Sequence, residues 1–267
     1  MGTTRTASRR TLRIAVHPAG PVGIRAGRIL LGEASLEALG VVDAPYRRSP
    51  DRRVERAGTI ETYGVVVTDD IADPWTYVDR ALEVDASAVL WVDGDLDAIE
   101  DQYGDAFRSR GTTLVVGANL GSGIAPALAA HEVAKGNVVQ EVEIAWTEHG
   151  DTLRKGVPVP FPQPVGPRWG EHFDADGPYR SIVVPTSGEW AAAIAKVTTL
   201  TTDGVTTRIV GTSDLGDHLE GIALAAAAVC AAQGRYEPGV ATASDIGEPY
   251  LETALRAGLD VAAHTTT

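Results

Sequence analysis

The sequence is short of several things at once. Its 267 residues hold one cysteine, Cys230, and only the lysines Lys135, Lys155 and Lys196. One thiol closes no internal disulfide and builds no cysteine-based metal site. Cys230 lies in an Ala-rich apolar run and reads as a small buried hydrophobe, a usage that suits a reducing cytoplasm. No stretch reaches the roughly 18 apolar residues of a membrane span; the longest run lies near 222–232. The start, MGTTRTASRR, has no apolar core of a signal peptide. A soluble, cytoplasmic protein without a membrane partner is expected. Positive charge is also scarce. Against 36 acidic residues stand 23 basic ones, for a net charge of −13, so nucleic acid is not an expected partner.

Catalytic signatures are missing too. There is no Gly-x-Ser-x-Gly elbow, which makes Ser122 and Ser187 poor hydrolase nucleophiles. There is no GKS or GKT, which excludes a phosphate-loop NTPase. His131, His149, His172 and His218 lack metal-ligand spacing, so no metal is expected.

What is present is an alternation of apolar strands and helices. Hydrophobic residues make up 44% of the chain, enough for a sizeable core. Residues 12–16 read as a buried strand, followed by a Gly/Pro turn and a helix over 24–38 stopped by Gly40. A second strand at Val41 and Val42 ends on Asp43. Residues 64–68, 88–92 and 113–116 read as further strands, with helices from Asp73-Pro74, over 96–109, and over 124–134. Continuous apolar strands joined by helices imply a parallel sheet covered on both faces. The pattern changes after Gly136. VVQEVEIAWT alternates like a half-exposed strand, and the loop GVPVPFPQPVGPRWG, residues 156–170, is Pro-rich and no central strand. Residues 187–195 read as a helix or turn. Strands over 195–201 and 206–211 flank an Asp203-Gly204 hairpin. Helices follow over 217–233 and 248–257. The expected fold class is α/β: a Rossmann-type parallel sheet over 11–122, then an α+β domain with a mixed or antiparallel sheet over 123–260.

Ligands of open parallel sheets bind at the C-terminal strand ends. The first turn, HPAGPVG, precedes a helix whose N-terminal N–H groups and dipole suit a pyrophosphate. Its candidate cofactor residues are His17, Gly20, Pro21, Val22 and Gly23. Asp43, ending the second strand, is placed for a ribose. Arg47 and Arg48 would suit a 2′-phosphate, and the choice between NAD and NADP stays open. Asp93-Gly94 and Gly117 end later strands and should approach a nicotinamide. GANLGSG is richer in glycine than a bare loop-to-helix connection needs; Asn119 would orient substrate or carboxamide, with Gly121 and Ser122 beside substrate. Histidine as a residue type exchanges protons near neutrality, which makes His149 a candidate proton donor. Lys155 is a candidate acid or carboxylate partner. Arg168, beside Trp169, is a second carboxylate-binding candidate.

On these residues the chain resembles a family. LRIAVHPAGPVGIRAGRILL resembles the cofactor turn of dihydrodipicolinate reductases, and Asp93-Gly94 resembles their motif after the fourth strand. VVGANLGSGIAPAL is similar to the nicotinamide-side loop of related amino-acid and diaminopentanoate dehydrogenases. EVEIAWTEHG with Lys155 resembles the strand carrying that family's catalytic His and nearby Lys, and DHLEGIALAAAAVCAAQGRYEPG its last helix. FPQPVG is closer to saccharopine-dehydrogenase-like proteins. The resemblance implies an NAD(P)-dependent oxidoreductase acting on a C=N or C=O bond of a small amino- or keto-acid, assembled as a homodimer or homotetramer. The chain departs from the pattern at His17, where a glycine is usual, and after Lys155, where no Gly-Thr-Ala run follows. The altered turn keeps two other readings open: a nucleotide- or metabolite-binding protein without catalysis, and a lyase using bound NAD.

Overall fold

The computed structural model describes residues 11–44, 49–135, 138–160, 172–173, 178–202 and 204–266. Arg47, Arg48, Arg168, Trp169 and Asp203 lie outside these residues.

The first half builds a seven-stranded sheet. Its members are β1 (Leu12–His17), β2 (Leu36–Val41), β3 (Val54–Arg56), β4 (Val65–Thr68), β5 (Ser87–Leu90), β6 (Thr113–Val116) and, from near the C-terminus, β14 (Gly239–Thr242). The order is β14-β6-β5-β4-β1-β2-β3, and every pairing is parallel. Strands β4, β5 and β6 are buried at every residue, as their unbroken apolar runs require. Helices α1 (Pro21–Leu30), α2 (Trp75–Glu83), α3 (Leu96–Ile99) and α4 (Asp105–Arg110) follow strands, with a wide π-turn over Glu100–Gly104 between the last two. Gly111 ends α4 in the left-handed conformation, φ 67°.

The second sheet has six strands in the order β15-β13-β12-β7-β11-β8. They are β7 (Val138–His149), β8 (Arg154–Lys155), β11 (Tyr179–Thr186), β12 (Trp190–Thr201), β13 (Gly204–Leu215) and β15 (Ala262–Thr266). Only β7 and β11 pair in parallel, so the sheet is mixed. A small pair, β9 (Val159–Pro160) and β10 (His172–Phe173), stands apart. Helix α5 (Ala125–Val133) packs on this sheet, after a second π-turn over Leu120–Ile124. Helix α6 (Gly216–Ala232) touches α1, strands of both sheets and α7 (Glu248–Arg256). Twelve of its residues, Leu219 to Ala231 with one exception, are buried. A helix apolar on all sides is a core element, and this one joins the two halves.

Three expectations are corrected. The first helix ends at Leu30 with Gly32 in its closing turn, and Leu36–Val41 is strand β2. Gly40 is therefore no helix stop. A Cβ there would lie 2.5 Å from the Tyr63 ring, so the glycine lets that ring lie against the strand. Residues from Trp190 on are strand, not helix: Ala191, Ala193 and Ala195 are buried while Trp190 and Ile194 are exposed, a period of two that overrides the helical preference of alanine. Finally, β14 places residues 239–242 in the first sheet, so a division of the chain at 122 does not follow the sheets.

Candidate functional site

The turn after β1 presents backbone donors, and a carboxylate already sits on them. Ala19, Gly20 and Gly23 donate their N–H groups to the Asp69 side chain at 2.7, 3.0 and 2.7 Å. Asp69 directly follows β4 and is 6% exposed. Pro21, at the start of α1, has no N–H to offer, and Ile24 N–H goes to the Gly20 carbonyl. The glycines make room for this contact. A Cβ on Gly23 would fall 2.4 Å from Asp69 Oδ1 and 2.8 Å from Pro18 Cα, and one on Gly20 would fall 3.1 Å from Asp69 Oδ2. The turn is thus an anion cradle whose anion is a side chain of the same molecule. As folded it does not fit a pyrophosphate.

Beside the turn, His17 stacks on Tyr77, with ring centroids 4.2 Å apart. Its Nδ1 lies 3.1 Å from the Val42 carbonyl oxygen, and its Nε2 lies 3.7 Å from Asp70. Arg80 lies over the other partner, Tyr77, and pairs with Asp43. Asp43 adopts a left-handed φ of 47° just beyond β2. The expected ribose carboxylate is therefore at its strand end, engaged by an arginine. Burial pushes the Tyr77 hydroxyl up to about 12, with Asp43 adding to the shift.

A cleft of about 970 Å³ runs between the halves. Gly20, Pro21 and Val22 line one side, and Glu148 and His149, at the end of β7, line another. Glu220 of α6 lines it between them. Glu220 Oε2 accepts from the Trp91 indole at 2.8 Å and from Leu120 N–H at 3.2 Å. Burial raises its carboxyl to about 7, against the lowering effect of those two bonds; Asp93 and Glu148 push the same way as burial. Sequence reading missed both Asp69 and Glu220. The available signal for Glu220 was an acid directly preceding the Ala-rich apolar run of a helix whose first turn already carries Asp217.

A second cleft, about 680 Å³, is lined by Asp93, Gly94, Gly117, Ser122, Arg154 and Glu148, among others. Asn119 sits at its back with each polar atom in use. Its amide nitrogen donates to the Trp91 carbonyl and to Asp93, both at 3.0 Å, and its oxygen accepts from Ser122 N–H at 2.9 Å. That arrangement caps the π-turn and holds Asp93. Burial raises Asp93, and hydrogen bonds from Ser122 and Asn119 partly offset this. The glycines nearby serve close packing. A Cβ on Gly117 (φ 64°) would meet Asp93 Oδ1 at 2.6 Å, one on Gly94 would meet Ile99 at 2.5 Å, and one on Gly121 would meet the Trp146 indole at 2.7 Å.

The structure does not bring His149 and Lys155 to one place. His149 is exposed at the rim of the larger cleft. Lys155 is exposed on the edge strand β8, opposite Ile182, and lines neither cleft. Its neighbour Arg154 lines the smaller cleft and pairs with Glu148. Arg168 lies outside the described residues. Among the described residues no group of three or more His, Cys, Asp or Glu is arranged to hold a metal ion, and no helix is long and apolar enough to cross a membrane.

No protein-family model matches the chain, and no curated protein matches it in sequence. Solved structures do match, and they share the fold, a Rossmann-type parallel sheet joined to a second, mixed sheet, as the sequence pattern led one to expect. In particular, the chain is similar to dihydrodipicolinate reductase from Paenisporosarcina sp. TG-14, solved with dipicolinate bound, at 12% identity and a TM-score of 0.52 over 88% of this chain and 98% of that one. It is similar to the C. glutamicum DAP dehydrogenase in complex with DAP, at 14% identity and a TM-score of 0.55 over 91% and 95%. An engineered D-amino acid dehydrogenase bound to NADP+ gives 13% and 0.55 over 90% and 95%. At these identities the likeness is one of fold.

Proposed function

We propose that this chain is an oxidoreductase acting on a small amino- or keto-acid in the larger cleft, in the class that moves hydride between a C=N or C=O bond and NAD or NADP. The observation that carries this reading is Glu220. It is a carboxyl that keeps its proton up to about pH 7, held by Trp91 and Leu120 at the strand ends and facing the cleft. Carboxyls shifted to neutrality by burial are suited to give and take protons at physiological pH. Glu220 would hold the proton, Trp91 and the Leu120 amide would fix its orientation, and His149 at the rim would meet the substrate's charged end. The ligands recorded for the similar structures, dipicolinate, DAP and NADP+, support the substrate and cofactor classes.

A second reading is favoured by Asp69, whose place on the glycine turn opposes a dinucleotide: a metabolite-binding protein without hydride transfer. Titration of NADPH and NADH against the protein, followed by nicotinamide fluorescence, separates the two. The oxidoreductase is expected to bind one of them and to turn over at least one member of a keto-acid panel with ammonia. No binding of either at millimolar concentration would leave the second reading standing.

A further inference from the structure

We propose that Asp69 determines ligand specificity in this fold by standing where a pyrophosphate would stand. This rests on the oxidoreductase reading only for the identity of the ligand that Asp69 opposes: there the dinucleotide is held weakly, and only once Asp69 has left the turn. The three N–H bonds from Ala19, Gly20 and Gly23 show the cradle built to full strength, and the carboxylate that receives them is almost wholly buried. Gly23 is the residue type this contact requires. Its missing Cβ is space that Asp69 Oδ1 fills, at 2.4 Å from where that atom would be. A pyrophosphate arriving here meets a fixed like charge at hydrogen-bond range and finds three donors already engaged, with a fourth removed by Pro21. Acids outnumber the one arginine on the rest of the cleft, with Asp70, Glu148, Glu189 and Asp217 lining it against Arg25, and they add to the repulsion. The turn therefore selects against dinucleotides and admits them only at the cost of moving Asp69.

The test compares the wild-type chain with Asp69→Ala and Asp69→Asn, using NADPH and inorganic pyrophosphate as probes. Affinities come from fluorescence or calorimetric titration, and stability from the shift in melting temperature with added pyrophosphate. Asp69→Ala is expected to bind NADPH at least about tenfold more tightly than the wild type and to be stabilised by pyrophosphate where the wild type is not. Asp69→Asn keeps the side-chain shape and an acceptor oxygen without the charge. It is expected to fall between the two, and it decides the matter if the alanine variant does not fold. Ordinary micromolar NADPH binding by the wild type, unchanged in Asp69→Asn, would overturn the proposal and leave the oxidoreductase standing. A gain in pyrophosphate binding with no dinucleotide binding by any variant would support the role of Asp69 and defeat the oxidoreductase. No gain for either probe in a folded variant would overturn the proposal.

Discussion

Glu220 is where a single residue has the largest measurable consequence. Burial moves its carboxyl from 4.5 to about 7. Between those values the folded chain holds a proton that the unfolded chain has released. The associated stability is complete below about pH 4.5 and is lost as pH rises through about 7. Glu220→Gln keeps an oxygen for Trp91 and Leu120 and carries no charge. Above pH 7 it is expected to be more stable than the wild type by about 1–3 kcal/mol, from the size of a shift of this order. Chemical unfolding followed at pH 5, 6, 7 and 8 should show a shallower decline for the variant. The slope will not vanish, because Asp93 is shifted in the same direction. Parallel curves for the two proteins would mean that Glu220 is ionised in the fold. At this scale the sequence was only partly legible. The glycines of the first turn were visible as a cradle, but what fills it was not. Asp69 is 46 residues from Gly23, and Thr-Asp-Asp after a strand looks like any strand end. Asn119 was legible as a polar residue at a strand end, while its three partners depend on how β5, β6 and the following π-turn converge.

Among elements, the crossing of α1 and α6 is the tightest to alter. A Cβ on Gly221 would stand 2.6 Å from Arg25 Cγ, 2.9 Å from Arg25 Cβ and 3.2 Å from the Ala26 backbone nitrogen. The arginine Cγ can swing away; its Cβ and the backbone of α1 cannot. Gly221→Ala gains about 1 kcal/mol of helix propensity, which offsets only part of the crowding, so a modest net destabilisation is expected. Gly221→Leu adds volume that no rotation of Arg25 accommodates, and it is expected to cost about 1–3 kcal/mol by overpacking. Thermal melts of the two variants check this ordering; equal melting temperatures would mean that the helices separate freely. The same scale separates what a sequence pattern reveals from what it hides. Strands β4, β5 and β6 and helix α6 were evident because unbroken apolar runs have few alternatives. Residues 36–38 read as the end of a helix because their Leu and Ala suit a helix as well as a strand. Pairing with β1 decides for strand. The first residues of β12 misled for the same reason, since alanine carries no strand preference and only the sheet supplies it.

In the whole molecule, the two halves are interleaved in sequence. The seven-stranded parallel sheet closes on one side with β14, paired in register with β6 from Gly239↔Thr113 to Thr242↔Val116. Helix α6 covers the faces of β1, β4 and β5 in that sheet while also touching β12 and β13 in the other. The strand GVAT holds a single large apolar residue, Val240, so it lacks the run that marks β4, β5 and β6, and an apolar helix does not announce which sheet it covers. The sequence division at 11–122 and 123–260 supposes that the first part has its own complete core. The contacts argue otherwise. Residues 11–122 alone would leave the β6 edge unpaired and the apolar face beneath α6 open to water, and an open edge and face of this kind favour association over folding. The fragment 11–122 is accordingly expected to lack a cooperative unfolding transition and to bind a hydrophobic dye such as ANS, whereas the full chain melts cooperatively and does not. A sharp two-state melt of the isolated fragment would show instead that the first sheet is self-sufficient, and that β14 and α6 dock onto a domain already folded.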